Sequence, residues 1–212
     1  MLHVRLNLIT ADPLRLGDAI KYIEAEVRPA VEGQVGNLGM SLQVNSELGV
    51  AILESFWVSG DALRDSEKIV APSRREAVRR AAGTVTVERY RVPIFEQEAP
   101  SRSGAGVRLT RMDTEPSKLE DAIEAFGDTA VPWLADTDGF CSALLFTDSS
   151  SGRMISETVW RDPQALAASR SAAAAIRVDA VAAIRVDAVA ATGCVIRAVE
   201  EYSLVFSSAR KA

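Results

Sequence analysis

Residues 4–57 of this 212-residue chain return as residues 107–160, at a constant offset of 103 and without a gap. Sixteen of the 54 pairs are identical, among them Arg5/Arg108, Pro13/Pro116, Pro29/Pro132, Gly36/Gly139, Gly49/Gly152, Glu54/Glu157 and Trp57/Trp160. A fixed register over that length means one structural unit copied in tandem. The chain therefore reads as a first unit over 1–98, a linker over 99–106 and a second unit over 107–208. The linker, APSRSGAG, is small, polar and glycine-rich, as a connecting segment is.

The repeat ends match as well, VERY at 87–90 against VEEY at 199–202, but there the offset has grown to 112. Eight of the nine additional residues are visible: AIRVDAVA at 175–182 is followed at once by an identical AIRVDAVA at 183–190. Removing one copy restores near-equal unit lengths, so the octad reads as a slipped or engineered duplication rather than a functional motif. Eight helical residues add about 12 Å and turn the helix by roughly 80° beyond two full turns. One copy is therefore expected to overhang the sheet or to bulge out.

Within each unit the pattern is strand, helix, strand, strand, helix, strand. Residues 4–9 alternate with period two. Asp12-Pro13 supplies a helix cap and a proline at the first helical position. Leu16, Ala19, Ile20, Ile23 and Val27 then follow at helical spacing, and Pro29 should kink or end that helix. Residues 40–45 and 50–57 are two strands joined by a short polar turn. A second helix over 62–82, with a break expected at Pro72, stops at Gly83, and 85–92 is the last strand, with Pro93 near its end. The order βαββαβ is the ferredoxin-like arrangement, whose sheet carries both helices on one face and needs a cover on the other. A tandem chain can supply both sheets, so the expected fold class is α+β, an intramolecular pseudo-dimeric α+β barrel.

Composition excludes several functions. A net charge of −5 gives no basic footprint for nucleic acid. Neither a signal-peptide core nor the ~18-residue apolar run of a membrane span is legible, and the expected location is the cytoplasm. Cys141 and Cys194 are expected as free thiols of a reducing compartment. Clusters of His and Cys at metal-ligand spacing are absent, His3 is the only histidine, and no glycine-rich phosphate loop follows a strand. No metal and no cofactor are therefore expected. Arg74, Arg75, Arg79 and Arg80 read as a solvated helix face offset by Glu67 and Glu76.

Strand parity nominates the site. Val4, Leu6 and Leu8 are assigned to the helix side, leaving Arg5, Asn7 and Ile9 for the interior between the sheets, with Arg108, Thr110 and Met112 as their counterparts. Trp57 shares a face with Ala51, Leu53 and Ser55. Arg5, Asn7 and Trp57 together are polar and aromatic, as the lining of a small-molecule pocket would be. The competing reading of each tryptophan is packing, with its N–H bonded to a neighbour. Asn7 against Thr110, and the bulky Phe140, Leu144 and Phe146 of the second unit, place a working pocket in unit one. Glu54 and Glu157 are expected in a structural ion pair with Arg5 or Arg108.

The glycine turns before the second strand (36–40 and 138–140) and the strand endings ESFWVSGDAL (54–63) and ETVWRDPQAL (157–166) carry a resemblance. Over nearly the whole chain, the sequence resembles the antibiotic biosynthesis monooxygenase type of dimeric α+β barrel, in its fused actinobacterial form. That resemblance implies a cofactor-independent monooxygenase acting on a small aromatic or polyketide-like molecule, and the residues that strand parity nominates to hold it are Arg5, Asn7 and Trp57. The alternative it leaves open is a non-catalytic small-molecule-binding or stress-associated protein. The haem-degrading branch of the family uses an asparagine on the first strand, a tryptophan ending the third and a histidine further on. Asn7 and Trp57 match the first two, but the third position is Glu67, and Arg170 in the second unit, so haem ligation is not expected.

Overall fold

The computed structural model describes residues 1–170 and 193–211, and the duplicated octad lies outside the described residues. The first repeat folds as β1 (His3–Thr10), α1 (Leu16–Tyr22), α2 (Arg28–Glu32), β2 (Asn37–Asn45), β3 (Val50–Trp57), α3 (Gly60–Asp65), α4 (Glu67–Ala81) and β4 (Thr84–Gln97). In the second repeat come β5 (Gly106–Asp113), α5 (Leu119–Ala125), α6 (Val131–Ala135), β6 (Phe140–Asp148), β7 (Arg153–Trp160), a helix opening at residue 163 and β8 (Val195–Ser207). The strands hydrogen-bond in the order β1-β3-β2-β8-β5-β7-β6-β4, which closes as a barrel, so the chain is the α+β pseudo-dimeric type that the repeat foretells.

Two compact units emerge, and their boundaries are not those of the repeats. Unit one comprises Met1–Arg91 with Ser203–Ala212, and unit two Val92–Tyr202. The long strands β4 and β8 each divide near their middle. The end of β8 completes the unit-one sheet, Ser41 to Val44 of β2 lying opposite the Ser203–Ser207 stretch. β4 also runs through Pro93 rather than stopping there, and Val92 and Phe95 are buried beyond and beside it.

Proline shapes the first helical segment of both repeats alike. Wide π-helical turns, Ile23–Val27 and Phe126–Ala130, precede Arg28-Pro29 and Val131-Pro132. A proline ring crowds the carbonyl four residues back and offers no N–H to it, and widening that turn relieves the clash. Pro72, by contrast, does not interrupt α4, and the break in the second helix falls at Ser66, between α3 and α4. The helix ends with Ala82 in the left-handed region at φ 47° rather than with Gly83 there. Gly83 serves a different purpose: a Cβ on it would lie 1.9 Å from the Thr10 carbonyl oxygen, so the β1 end can approach only a glycine.

In unit one, Ile9, Met40, Leu42, Val44, Ala51, Leu53 and Trp57 of the sheet pack with Leu16, Ala19, Ile23, Val27, Val31, Leu63, Val70, Ala77 and Ala81 of the helices. This layer overturns the orientation expected from parity. Arg5, Asn7, Ile9 and Trp57 do share one face, but it is the face under the helices, not the one away from them. Val4 and Leu6, expected on the helix side, belong to the opposite face, along with Ile52, Glu54 and Phe56. Both faces are buried, Val4, Leu6 and Ile52 as completely as Trp57. Apolarity alone therefore cannot say which face the helices cover.

Candidate functional site

Residue i of β1 faces residue j of β3 with Arg5 opposite Ser55 and Asn7 opposite Leu53. That register sets Arg5, Asn7, Ser55 and Trp57 side by side beneath α3 and α4. The Trp57 ring is fully buried, its indole Nε1 donates to Ser55 Oγ at 3.0 Å, and the Arg5 guanidinium lies 5.8 Å from the ring centroid. Asn7 is 3 % exposed; its Nδ2 donates to the Leu53 carbonyl at 3.1 Å, while its Oδ1 accepts from Arg74 Nη1 at 3.4 Å. The structure thus brings the three expected residues together, and adds two that sequence reasoning assigned elsewhere, Arg74 and Glu67.

The bonding of Arg5 is lopsided. Its Nη2 donates to the Leu63 carbonyl at 2.6 Å and to Ser66 Oγ at 3.1 Å, and meets Glu67 Oε2 at 3.1 Å. Nε and Nη1, equally buried, have no partner. Burial pushes the Arg5 guanidinium down to about 10, with Glu67 opposing the shift and Arg89 and Arg74 adding to it. Burial alone would raise the Glu67 carboxyl, but a hydrogen bond from Arg74 and the charges of Arg5, Arg74 and Arg89 hold it below the usual carboxylate range. Arg89 reaches Glu67 Oε2 at 3.5 Å. Three guanidiniums therefore converge on one ionised carboxylate.

The second unit repeats the frame and changes the charges. Arg108 donates to the Leu166 carbonyl at 3.0 Å and to Ser169 Oγ at 2.9 Å, the counterparts of Leu63 and Ser66. Glu201, where unit one has Arg89, accepts from Arg108 Nε at 3.3 Å and Nη2 at 3.0 Å. Arg170, where unit one has Glu67, donates to the same carboxylate from Nε at 3.0 Å. Every guanidinium nitrogen of Arg108 is thus engaged. Thr110 replaces Asn7, and Trp160 keeps the packing role, Nε1 donating to Thr158 Oγ1 at 3.1 Å. The charge reversal at both positions was present in the repeat alignment, Glu67 against Arg170 and Arg89 against Glu201, and was the signal that could have found this cluster.

Glu54 is not the partner of Arg5. It lies opposite Leu6, on the other face, where it accepts from Ser41 Oγ at 2.6 Å and Gln43 Nε2 at 3.1 Å. Glu157 likewise lies opposite Leu109, and the carboxylate meeting Arg108 under the helices is Glu201. His3 bonds the Met1 carbonyl through Nδ1 and stands apart from the cluster. Cys141 is buried and Cys194 half-buried just ahead of β8, and burial pushes both thiols up. No group of three or more metal-ligating side chains occurs among the described residues, and no described helix is long and apolar enough to cross a membrane.

No family model matches the chain. Two proteins of Mycobacterium tuberculosis are similar along most of it. Rv2558 is 32% identical over 178 residues, covering 84% of this chain and 75% of the relative; Rv2557 is 28% identical over 177 residues, covering 84% and 79%. Both are described as uncharacterized. Among solved structures, a candidate monooxygenase from Fusobacterium nucleatum superposes with a TM-score of 0.70 at 13% identity, covering 97% of this chain and 93% of the other. An anthrone oxidase-like protein gives 0.63 at 18%, covering 97% and 92%. A ferredoxin-fold protein from Listeria monocytogenes, related to antibiotic biosynthesis monooxygenases, gives 0.52 at 10%, covering 94% of each chain. At these identities the likeness is one of fold.

Proposed function

We propose that this chain, which belongs to the family of Mycobacterium tuberculosis Rv2558, binds a small electron-rich aromatic molecule between the sheet and helices of unit one and oxygenates it without a cofactor. The reading is carried by one observation: an arginine with unused donors, an amide and an indole converge on one face in unit one, whereas the corresponding arginine of unit two is fully engaged and the amide is a threonine. Trp57 would offer a ring face to the aromatic, Asn7 would orient a carbonyl or hydroxyl, and Arg5 would hold an oxygen on which negative charge develops. The barrel fold shared with monooxygenase-type proteins agrees with this chemistry and does not by itself establish it.

The reaction needs only molecular oxygen as co-reactant. An activated methylene between aromatic rings loses a proton to give an enolate, and the enolate passes one electron to oxygen. The two radicals join as a C–O bond, and the resulting hydroperoxide loses water to leave a ketone. One oxygen atom enters the product and the other leaves as water. Arg5 would stabilise the enolate, lowering the barrier to its formation. Glu67 is a poor base because three arginines hold it ionised and weakly basic, so the substrate itself must be acidic. Haem does not fit these residues: a clamped carboxylate stands at the position of an iron-ligating imidazole.

An oxygen electrode with an anthrone as substrate tests this. Wild-type protein should consume one oxygen per anthraquinone formed, unaffected by a chelator, and Thr110→Ala should match it. Asn7→Ala should lose at least about 90% of kcat/KM, about 1.4 kcal/mol or more of transition-state binding, while the protein stays folded and its unfolding free energy falls by no more than the roughly 1–3 kcal/mol cost of two lost buried hydrogen bonds. Saturable binding of the anthrone with no oxygen uptake would instead support a non-catalytic binding protein. Equal losses in Asn7→Ala and Thr110→Ala would remove unit one from its special place.

A further inference from the structure

We infer that the ligand of the unit-one site carries a permanent anionic group, a carboxylate in the first instance, and that Glu67 is its internal stand-in. This deepens the proposed function and rests on it. The first support is the imbalance of charge. Arg5, Arg74 and Arg89 share the single carboxylate of Glu67, while in unit two, among the described residues, Arg108 and Arg170 share Glu201. Three cations against one acid leave an unmet positive field in a partly dry place.

The second support is geometric. Arg5 is fully buried, yet its Nε and Nη1 donate to nothing, while three acceptors crowd Nη2. A buried guanidinium left two-thirds unused is costly unless something else fills it. In unit two Glu201 fills that need from β8; the equivalent residue on β4 is Arg89, which repels rather than satisfies. The sequence has thus exchanged an internal counter-charge for a further cation at the buried arginine that shares a face with Asn7, next to an exposed rim. The rim is formed by Glu67, one-third exposed, and Arg89, half exposed. A ligand carboxylate arriving there would take over the Arg74 and Arg89 donors from Glu67 and reach the free nitrogens of Arg5, and its aromatic body would reach Trp57 by parting the side chains that enclose the ring.

Calorimetric titration with 2-naphthoate and with its neutral isostere 2-naphthamide decides the matter. Wild-type protein should bind naphthoate at least tenfold more tightly than the amide, at one per chain. Glu67→Gln removes the competing acid and should tighten naphthoate about tenfold with the amide unchanged. Arg89→Glu builds the unit-two arrangement into unit one at a half-exposed position that tolerates change, and should weaken naphthoate at least tenfold, again sparing the amide. Equal affinity for both probes, or no response of naphthoate to either variant, overturns the anionic-ligand inference and leaves the aromatic site standing. If neither probe binds to folded wild-type protein, the aromatic-site reading falls along with it.

Discussion

Trp57→Ala should lower the unfolding free energy by about 3–5 kcal/mol, the range for truncating a large aromatic in a close-packed core. The ring is fully enclosed, among the largest such side chains in the chain, and it sits in the cluster that joins the unit-one sheet to its helices. Removing it also leaves Ser55 Oγ without its indole donor and takes away the ring that faces the Arg5 guanidinium. Trp160→Ala should cost a similar amount, because Trp160 is as deeply buried and packs edge-on to Phe140 at a centroid separation of 5.7 Å. The two variants should part company on ligand: only Trp57→Ala should lose naphthoate binding. Denaturant titration gives the first comparison and calorimetry the second. A loss under about 1 kcal/mol for Trp57→Ala would mean the ring is not packed as described.

Gly152→Ala should be nearly as damaging although it adds only one methyl group. Gly152 has φ of +72°, and a Cβ there would lie 1.9 Å from the Thr114 carbonyl oxygen. Its own carbonyl accepts the Thr114 amide at 2.9 Å, so the hairpin tip is tied to the end of β5 by the contact that the methyl would disrupt. The left-handed backbone costs roughly 1–2 kcal/mol for a residue with a Cβ, and shifting a backbone carbonyl adds about as much again. For a chain of this size that sum corresponds to a melting temperature lower by roughly 5–15 °C. Gly49 repeats the arrangement in unit one, with φ of +64° and the Ala11 carbonyl oxygen 2.4 Å from a Cβ, so Gly49→Ala should behave alike. A Gly152→Ala melting temperature within about 1 °C of wild type would contradict the close approach.

These glycines also show how far the sequence could carry the fold. Identical residues at a fixed offset mark places where the unit has no alternative: Gly49 and Gly152 at a carbonyl contact, Pro29 and Pro132 after a widened turn, Trp57 and Trp160 under the helices. The repeat therefore made the βαββαβ order and the pairing of two sheets in one chain legible. It could not show where each long strand changes unit, because β4 and β8 are continuous in the sequence, and only pairing divides them at Arg91 and Tyr202.

The grouping of the candidate residues on one face was legible in the sequence, and the direction of that face was not. Parity grouped Arg5, Asn7 and Trp57 correctly, since alternate residues of a strand must share a face. Which face lies under the helices was inverted, because the usual cue, one apolar face and one polar, fails when both are buried. Val4 and Leu6 look like helix-facing residues and are not, while Arg5 looks misplaced there and is held by the Leu63 carbonyl, Ser66 and Glu67. Helical spacing reads Glu67 and Arg74 as a solvated helix face because, besides pairing with each other on α4, they reach Arg5, Asn7 and Arg89 on strands that the spacing does not reveal.

Occupancy of a single ligand site beneath the helices of unit one can be read directly from the indole N–H resonances of Trp57, Trp133 and Trp160, the three tryptophans of the chain. With each peak assigned by a tryptophan-to-phenylalanine variant, titration with 2-naphthoate should shift the Trp57 resonance and leave Trp133 and Trp160 in place. A shift of Trp160 in place of Trp57, or saturable binding that moves none of the three, would contradict it.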